Sequence, residues 1–516
     1  MKVHLMYCDS DFDATAELPP NETALRQDLD LDIILDAMAN GDRFLLDVAR
    51  RSLLCGMHSV ESIRYRQEVL RDCINNSSTI RSMYAIAVEA IESKQQNWIG
   101  IFTTHPGSIL YSANRMIDMY LPLLERLKKI ASSEAGKFGS EGFLRLFAML
   151  REELSDDYFE ELHAHLRYLA FREGVLISAR LGKGNESVGH TLRKAKGFGK
   201  DWFQRILFRR SPSYSFSISP RDDAGCRALG ELRDRGINLA ANALGQSADH
   251  IDSYFKRLRM ELGFFVGCIN LQERLLAVGE RICFPEPRLP RTLSTETRGL
   301  SNPCLSIHTG RRSVGNDVNA LGKNPVIVTG ANEGGKSTFL RSIGVAQLMM
   351  QAGMFVAAEF FATDICDGVF THYRRKEDRS MTSGKLDEEL ARMDGIADLL
   401  KPSALILFNE SFAATNEREG TDIARQIVEA LIEKDIRIFF VTHLYSFAAG
   451  FSREEGNHAL LLKAESAQDG TRTFRIIEGP PSEKSRGEDL YRKVFGEAGA
   501  VRSPSPATQC ERRTLS

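Results

Sequence analysis

The nine cysteines of this 516-residue chain include no C-x-x-C pair and are scattered from Cys8 to Cys510. That spacing argues against a zinc site and a disulfide framework and leaves reduced thiols as the expected state. Long apolar runs are missing too. No segment reaches the ~18 uninterrupted apolar residues of a membrane span. Met1 to Asp13 lacks the basic start and apolar stretch of a signal peptide. A cytoplasmic protein without membrane contact is therefore expected. Charge of one sign is also lacking: the net charge is −2. Nothing in the overall balance draws the chain to nucleic acid, so such binding must come from a local patch. No internal repeat is visible.

What is present divides by rhythm. From about Asn21 to Glu280 apolar residues recur at helical spacing, as in Ile63 to Leu70, Met116 to Ile130 and Phe143 to Leu154. Later, short apolar strands alternate with helices; Val326 to Thr329, Ala404 to Phe408 and Ile436 to Val441 are the clearest. The expected fold class is α followed by α/β: a multi-helix region, then a domain with a largely parallel sheet. We place an amino-terminal segment at 1–49, a helical domain at 50–300 with a short insertion near 181–220, an α/β domain at 301–495 and a disordered tail at 496–516. Pro285 to Ser306, rich in Pro, Arg and Thr, reads as the linker.

The α/β domain carries a phosphate loop. Gly330, Ala331, Asn332, Glu333, Gly334, Gly335, Lys336 and Ser337 match G-x-x-x-x-G-K-S, with Thr338 opening the helix. A β-branched strand precedes the loop and a periodic helix follows, the order the chemistry requires. Glycines let successive N–H groups turn toward a phosphate, Lys336 reaches the β and γ phosphates, and Ser337 offers a hydroxyl to Mg²⁺. ATP and Mg²⁺ are the cofactors this implies.

The strand Ala404 to Phe408 ends in Asn409-Glu410, where such ATPases place a metal-binding carboxylate and a base for the attacking water. Glu410 suits the base. Asn409 is neutral, so it would hold Mg²⁺ more weakly than a carboxylate does. The strand Ile436 to Val441 leads into Thr442-His443. Ligands in doubly wound sheets sit at carboxyl ends of strands, which makes His443 a candidate γ-phosphate sensor.

Taken in order, Thr329 to Thr338, Ser383-Gly384, Leu405 to Glu410 and Val441 to His443 resemble the ATPase domain of the MutS family of mismatch-repair proteins. Gly315-Asn316-Asp317 resembles that family's Pro-Asn-Asp box and Phe370-Thr371 its Phe-Thr-Arg strand. Glu478-Gly479-Pro480 with Ser485-Arg486-Gly487 resembles its closing segment, and Ile63 to Leu70 the start of its helical core. The resemblance is strongest over 303–490.

It implies a homodimer in which Ser383 reaches the partner's γ-phosphate, Asn332 matches the family's loop asparagine, and Asn316 belongs to the nucleotide site. It also implies a clamp on double-stranded DNA driven by nucleotide state. This chain departs from the family pattern at Ala331, Glu333, Asn409 and Phe412 to Thr415, and Ser313 stands near the place of an aromatic that often stacks on adenine. Core-like sequence begins by about residue 50, so the family's usual mismatch-reading wedge is not expected.

The stretch 181–220 interleaves basic and aromatic residues, including Lys194, Lys196, Arg209 and Arg210 with Phe198, Trp202, Phe203 and Phe208. Such a patch suits phosphate contact with stacking; a solvated basic loop is the other reading. Tyr214 to Ser219 alternates like a strand at a clamp tip. Three function classes result: a DNA-clamping ATPase, a nucleotide-binding interaction protein with little hydrolysis, and an unrelated P-loop enzyme. The third is disfavoured because no Leu-Ser-Gly-Gly-Gln segment occurs.

Overall fold

A computed structural model of the chain describes residues 1–96, 105–172, 174–194, 214–375, 384–453, 458–466 and 472–481. The chain forms two units: Met1–Glu17, Ala37–Ser52 and Arg64–Leu271 in one, and Leu18–Asp36, Leu53–Ile63 and Gln272–Ser516 in the other.

The first unit is built on long amphipathic helices. In the helix Pro106–Ser133, Leu110, Ala113, Ile117, Tyr120, Leu124, Leu127 and Ala131 recur at three- and four-residue steps, and all are buried. Proline begins this helix, where its missing N–H costs nothing. The helix Asp156–Leu169 is started by the Ser155 hydroxyl, which accepts the Tyr158 N–H, and by Asp156 and Asp157 in its first turn. Phe138, Phe143 and Phe147 pack as an aromatic trio beside these helices, with centroids 4.6 to 5.5 Å apart. A 55-residue helix spans Asp223–Ala277. From it the buried Glu261 carboxylate accepts the N–H groups of Leu5 and Met6, anchoring the amino-terminal strand of chain.

An antiparallel hairpin, β1 (Ile177–Leu181) with β2 (Ser187–Leu192), projects exposed residues, among them Leu181. Tyr214 to Ser219, expected as a strand, is irregular. Alternation alone does not make a strand where, among the described residues, no neighbouring strand pairs with it.

The second unit holds two sheets. One is mixed, in the order β3 (Glu286–Arg288), β7 (Phe360–Asp364), β4 (Thr295–Leu300), β5 (Asn316–Asn319). Much of the expected linker at Pro285 to Ser306 is thus sheet; its polar residues alternate with buried Thr295 and Thr297. The other sheet runs β12 (Arg472–Glu478), β11 (Leu460–Ser466), β6 (Val326–Thr329), β10 (Arg437–Val441), β9 (Leu405–Asn409), β8 (Val369–Tyr373). Its strands pair in parallel except β12, which is antiparallel to β11.

Strands covered on both faces read as continuous apolar runs, as β6, β9 and β10 do. Phe408 and Phe440 stack across neighbouring strands with centroids 4.8 Å apart, and both are fully buried. Against them lies the helix Glu417–Glu433. Asn416 caps it, accepting the Glu419 N–H, and its buried Gly420, Ala424, Val428 and Leu431 form one stripe. The phosphate-loop helix Lys336–Gln351 is buried along most of its length. The short helix Glu22–Leu29 joins this unit: Asp28 accepts hydrogen bonds from Thr371 and Arg375.

No described helix is long and apolar enough to cross a membrane. The eight described cysteines are all free thiols, four of them buried.

Candidate nucleotide site

The loop between β6 and the helix Lys336–Gln351 turns on Gly335, whose φ of 92° is a left-handed conformation that any side chain would strain. A Cβ there would also stand 3.1 Å from the Phe474 carbonyl oxygen of β12. Lys336 is buried, and its ammonium donates to the Gly330 and Ala331 carbonyls at 2.9 Å each. Burial pushes its pKa down to about 8, partly opposed by the Glu410 carboxylate. A cation held at the centre of its own loop is the arrangement that meets a polyphosphate.

Parallel register carries the other groups to the same edge, since β6 and β9 flank β10. Ser337 donates its hydroxyl to the Asn409 side-chain oxygen at 2.8 Å. Glu410, one residue beyond β9, has a left-handed φ of 57°, and its carboxylate meets His443 Nε2 at 2.8 Å. That bond, with the charges of Lys336 and Arg374, holds the Glu410 carboxyl below the usual range against the effect of burial.

Ser337, Lys336 and Glu410 line a cavity of about 550 Å³ with Leu305, Ser313, Val314, Thr338 and Phe474. Gly335, Glu333 and Asn316 line it too. Asn316 is committed by its side-chain oxygen to the Ile476 N–H at 2.7 Å, which fastens β5 to β12. Glu333 pairs closely with Arg472. Asn332 is exposed, and Gly334 is buried beneath the loop against Ala464.

Phe474 was not singled out by sequence reasoning. It is an aromatic in the cavity wall with a left-handed φ of 59°, brought there by β12. Ser313, near the place of the family's adenine-stacking aromatic, has its backbone N–H and hydroxyl taken up by Glu280, Ser306 and Asn302. Nothing local marks Phe474; the pairing of β12 with β11 and the Asn316 bond to Ile476 position it.

Ser383, Lys196, Arg209 and Arg210 lie outside the described residues. Lys194 follows β2 and is exposed.

A largely parallel sheet, a phosphate loop at the end of β6 and polar residues at the ends of β9 and β10 define a P-loop ATPase domain. Comparison with known proteins gives the family. Residues 58–278 match the model of the MutS2 N-terminal domain, and residues 326–495 match MutS domain V. The chain is similar to the DNA mismatch repair protein MutS of Chloroflexus aurantiacus, 26% identical over 226 residues, 43% of this chain and 23% of that protein. It is similar to MutS of Methanosarcina mazei, 25% identical over 287 residues, covering 51% of this chain and 32% of the relative. With MutS of Thermotoga maritima it shares 31% over 163 residues, 30% of this chain and 20% of the relative. The chain belongs to the MutS family. Its matches span between a fifth and a third of the length of these relatives.

Proposed function

We propose that this protein is a nucleotide-switched dimeric clamp on double-stranded DNA that binds ATP with Mg²⁺, hydrolyses it slowly, and serves DNA repair or recombination. One observation carries the reading: Lys336, Ser337 and Glu410 line one cavity, with Asn409 hydrogen-bonded to Ser337 and His443 to Glu410. In this proposal the loop from Gly330 to Thr338 receives the phosphates, and Phe474 packs against the base. Glu410 accepts the proton of the attacking water, and His443 orients Glu410 and reports on the γ-phosphate. The dimer, with Ser383 reaching the partner's site, follows from the family resemblance.

The oxygens of Ser337 and Asn409 face each other at hydrogen-bond distance and suit a hard cation. Among the described residues no cluster of three acidic, His or Cys side chains is present. Phosphate and water would therefore supply most of the coordination. Mg²⁺ there would neutralise charge on the transferring phosphoryl group. Replacing Asn409 by Asp adds one negative charge to the donor set and should lower the Mg²⁺ concentration for half-maximal turnover on the order of tenfold. Turnover should rise as well. A Mg²⁺ titration of steady-state ATPase checks both, and an unchanged midpoint would remove Asn409 from the metal site. The neutral amide also favours a second reading, in which ATP sets conformation and hydrolysis is minor.

For DNA, the proposal assigns contact to the basic stretch that includes Lys194, Lys196, Arg209 and Arg210. Reversing these four to Glu should abolish retention of duplex DNA. In the wild-type protein these contacts should contribute about 3 to 4 to the slope of log affinity against log salt, close to one per phosphate contact. Filter binding across a salt series measures this, and wild-type retention by the variant at low salt would sink the assignment.

A further inference from the structure

Beside the nucleotide cavity, the turn that carries Glu410 has an unusual backbone. Both Glu410 and Phe412 are left-handed, with φ of 57° and 62°, and neither is glycine. Two such residues within three positions persist only when their surroundings over-determine them. The anchors are identifiable. The Glu410 N–H is held by the Val441 carbonyl at 2.8 Å. The Phe412 N–H donates to the Glu389 carboxylate at 2.8 Å. Between them, the Ser411 hydroxyl lies 2.7 Å from His372 Nδ1 and 2.6 Å from the His372 carbonyl. The Phe412 ring stacks on the His372 imidazole with centroids 5.2 Å apart and a 17° tilt. Gly420 lets the turn sit this low, since a Cβ there would come within 2.4 Å of the Phe412 carbonyl oxygen.

The protonation of this cluster can be assigned. Burial and the neighbouring Arg392 push the His372 pKa down to about 4, so the ring is neutral. Its Nε2 lies 3.0 Å from the Glu389 carbonyl, an acceptor only, and must carry the proton. Nδ1 is then an acceptor, and the single Ser411 hydroxyl hydrogen is shared between it and the His372 carbonyl. Glu389, 2% exposed, uses one carboxylate oxygen on Phe412; its other oxygen has no hydrogen-bond partner among the described residues. A buried carboxylate left half-satisfied is costly to stability, which suggests that it is retained for position.

Glu389 belongs to the helix Lys385–Ala397, two residues beyond Ser383 in the chain. We infer that Glu389, His372 and Ser411 are positioning residues for Glu410: together they clamp the left-handed turn 410–412 onto that helix and so aim the Glu410 carboxylate at His443 and the phosphate loop. This rests on Glu410 being the base. It adds a physical route by which the helix after Ser383 governs hydrolysis without touching nucleotide.

The test is single-turnover ATP hydrolysis at saturating nucleotide, with ATP affinity measured in parallel on the full chain. Ser411→Ala and Glu389→Ala should each slow hydrolysis ten- to hundredfold and leave ATP affinity within threefold. Glu389→Gln, whose amide oxygen can still accept the Phe412 N–H, should stay within threefold of wild type in both. Should Glu389→Ala fail to fold, Ser411→Ala and Glu389→Gln decide the matter. Wild-type hydrolysis by Ser411→Ala, or a loss of ATP affinity matching the loss of rate, would overturn the proposal. Hydrolysis that survives Glu410→Gln would instead overturn the assignment of the base.

Discussion

Replacing Glu410 by Gln should reduce ATP hydrolysis by a factor of about 10² to 10⁴, the usual contribution of a positioned general base, while ATP remains bound. The carboxylate lies beside His443 and within the field of Lys336 and Arg374, which keep it ionised at neutral pH. Gln keeps the shape and the hydrogen bond to His443 but cannot take a proton. The expected pattern is therefore a loss of turnover with little change in affinity, the signature of an interaction made in the transition state. Single-turnover rates and equilibrium binding on the same preparation separate the two. A rate that does not change removes Glu410 from the chemistry.

Replacing Lys336 by Ala should weaken ATP binding about hundredfold, since a buried ammonium aimed at phosphate is among the stronger charge-assisted contacts. The nucleotide-free protein should be no less stable for the change, because at neutral pH the folded state holds that charge against the cost of burial. The pH dependence has two opposite signs. In the free protein the pKa falls from 10.5 to about 8. The unfolded chain binds more protons than the native state between those values, so the burial penalty is complete below about pH 8 and is relieved above it. Stability without nucleotide should rise through that window. ATP affinity should fall in the same window, because the phosphates need the ammonium, and binding at pH 8.5 should take up protons. Calorimetry in buffers of different ionisation enthalpy reads the proton uptake; its absence, with affinity flat to pH 9.5, would place Lys336 away from the phosphates.

The parts legible in the sequence were those where one local pattern meets one environment. β6 runs over the same four residues as the β-branched stretch before the loop, and β9 and β10 fall within one residue of the apolar runs that suggested them. These strands are covered on both faces, so burial is written along their whole length. The mixed sheet was not legible, because Glu286–Arg288 carries a proline and Thr295–Leu300 is mostly polar, and they become strands through pairing with β7 and, for β4, also with β5. Phe474 and the His372–Glu389 cluster escaped for a related reason. His372 and Glu389 meet across 17 residues, and Phe474 packs over Gly335 from a distant strand, neighbours that no periodicity encodes. Helix Glu22–Leu29 likewise joins the α/β unit through Asp28 and Arg375, a contact spanning 347 residues.

The proposed function requires that this cavity bind and turn over ATP. Steady-state ATPase of the full chain, with and without Mg²⁺ and with and without duplex DNA at stated salt, tests it most directly. The predicted result is slow, Mg²⁺-dependent hydrolysis that duplex DNA alters and Glu410→Gln eliminates. No ATP binding by the wild-type chain, or hydrolysis indifferent to both Lys336→Ala and Glu410→Gln, would contradict it.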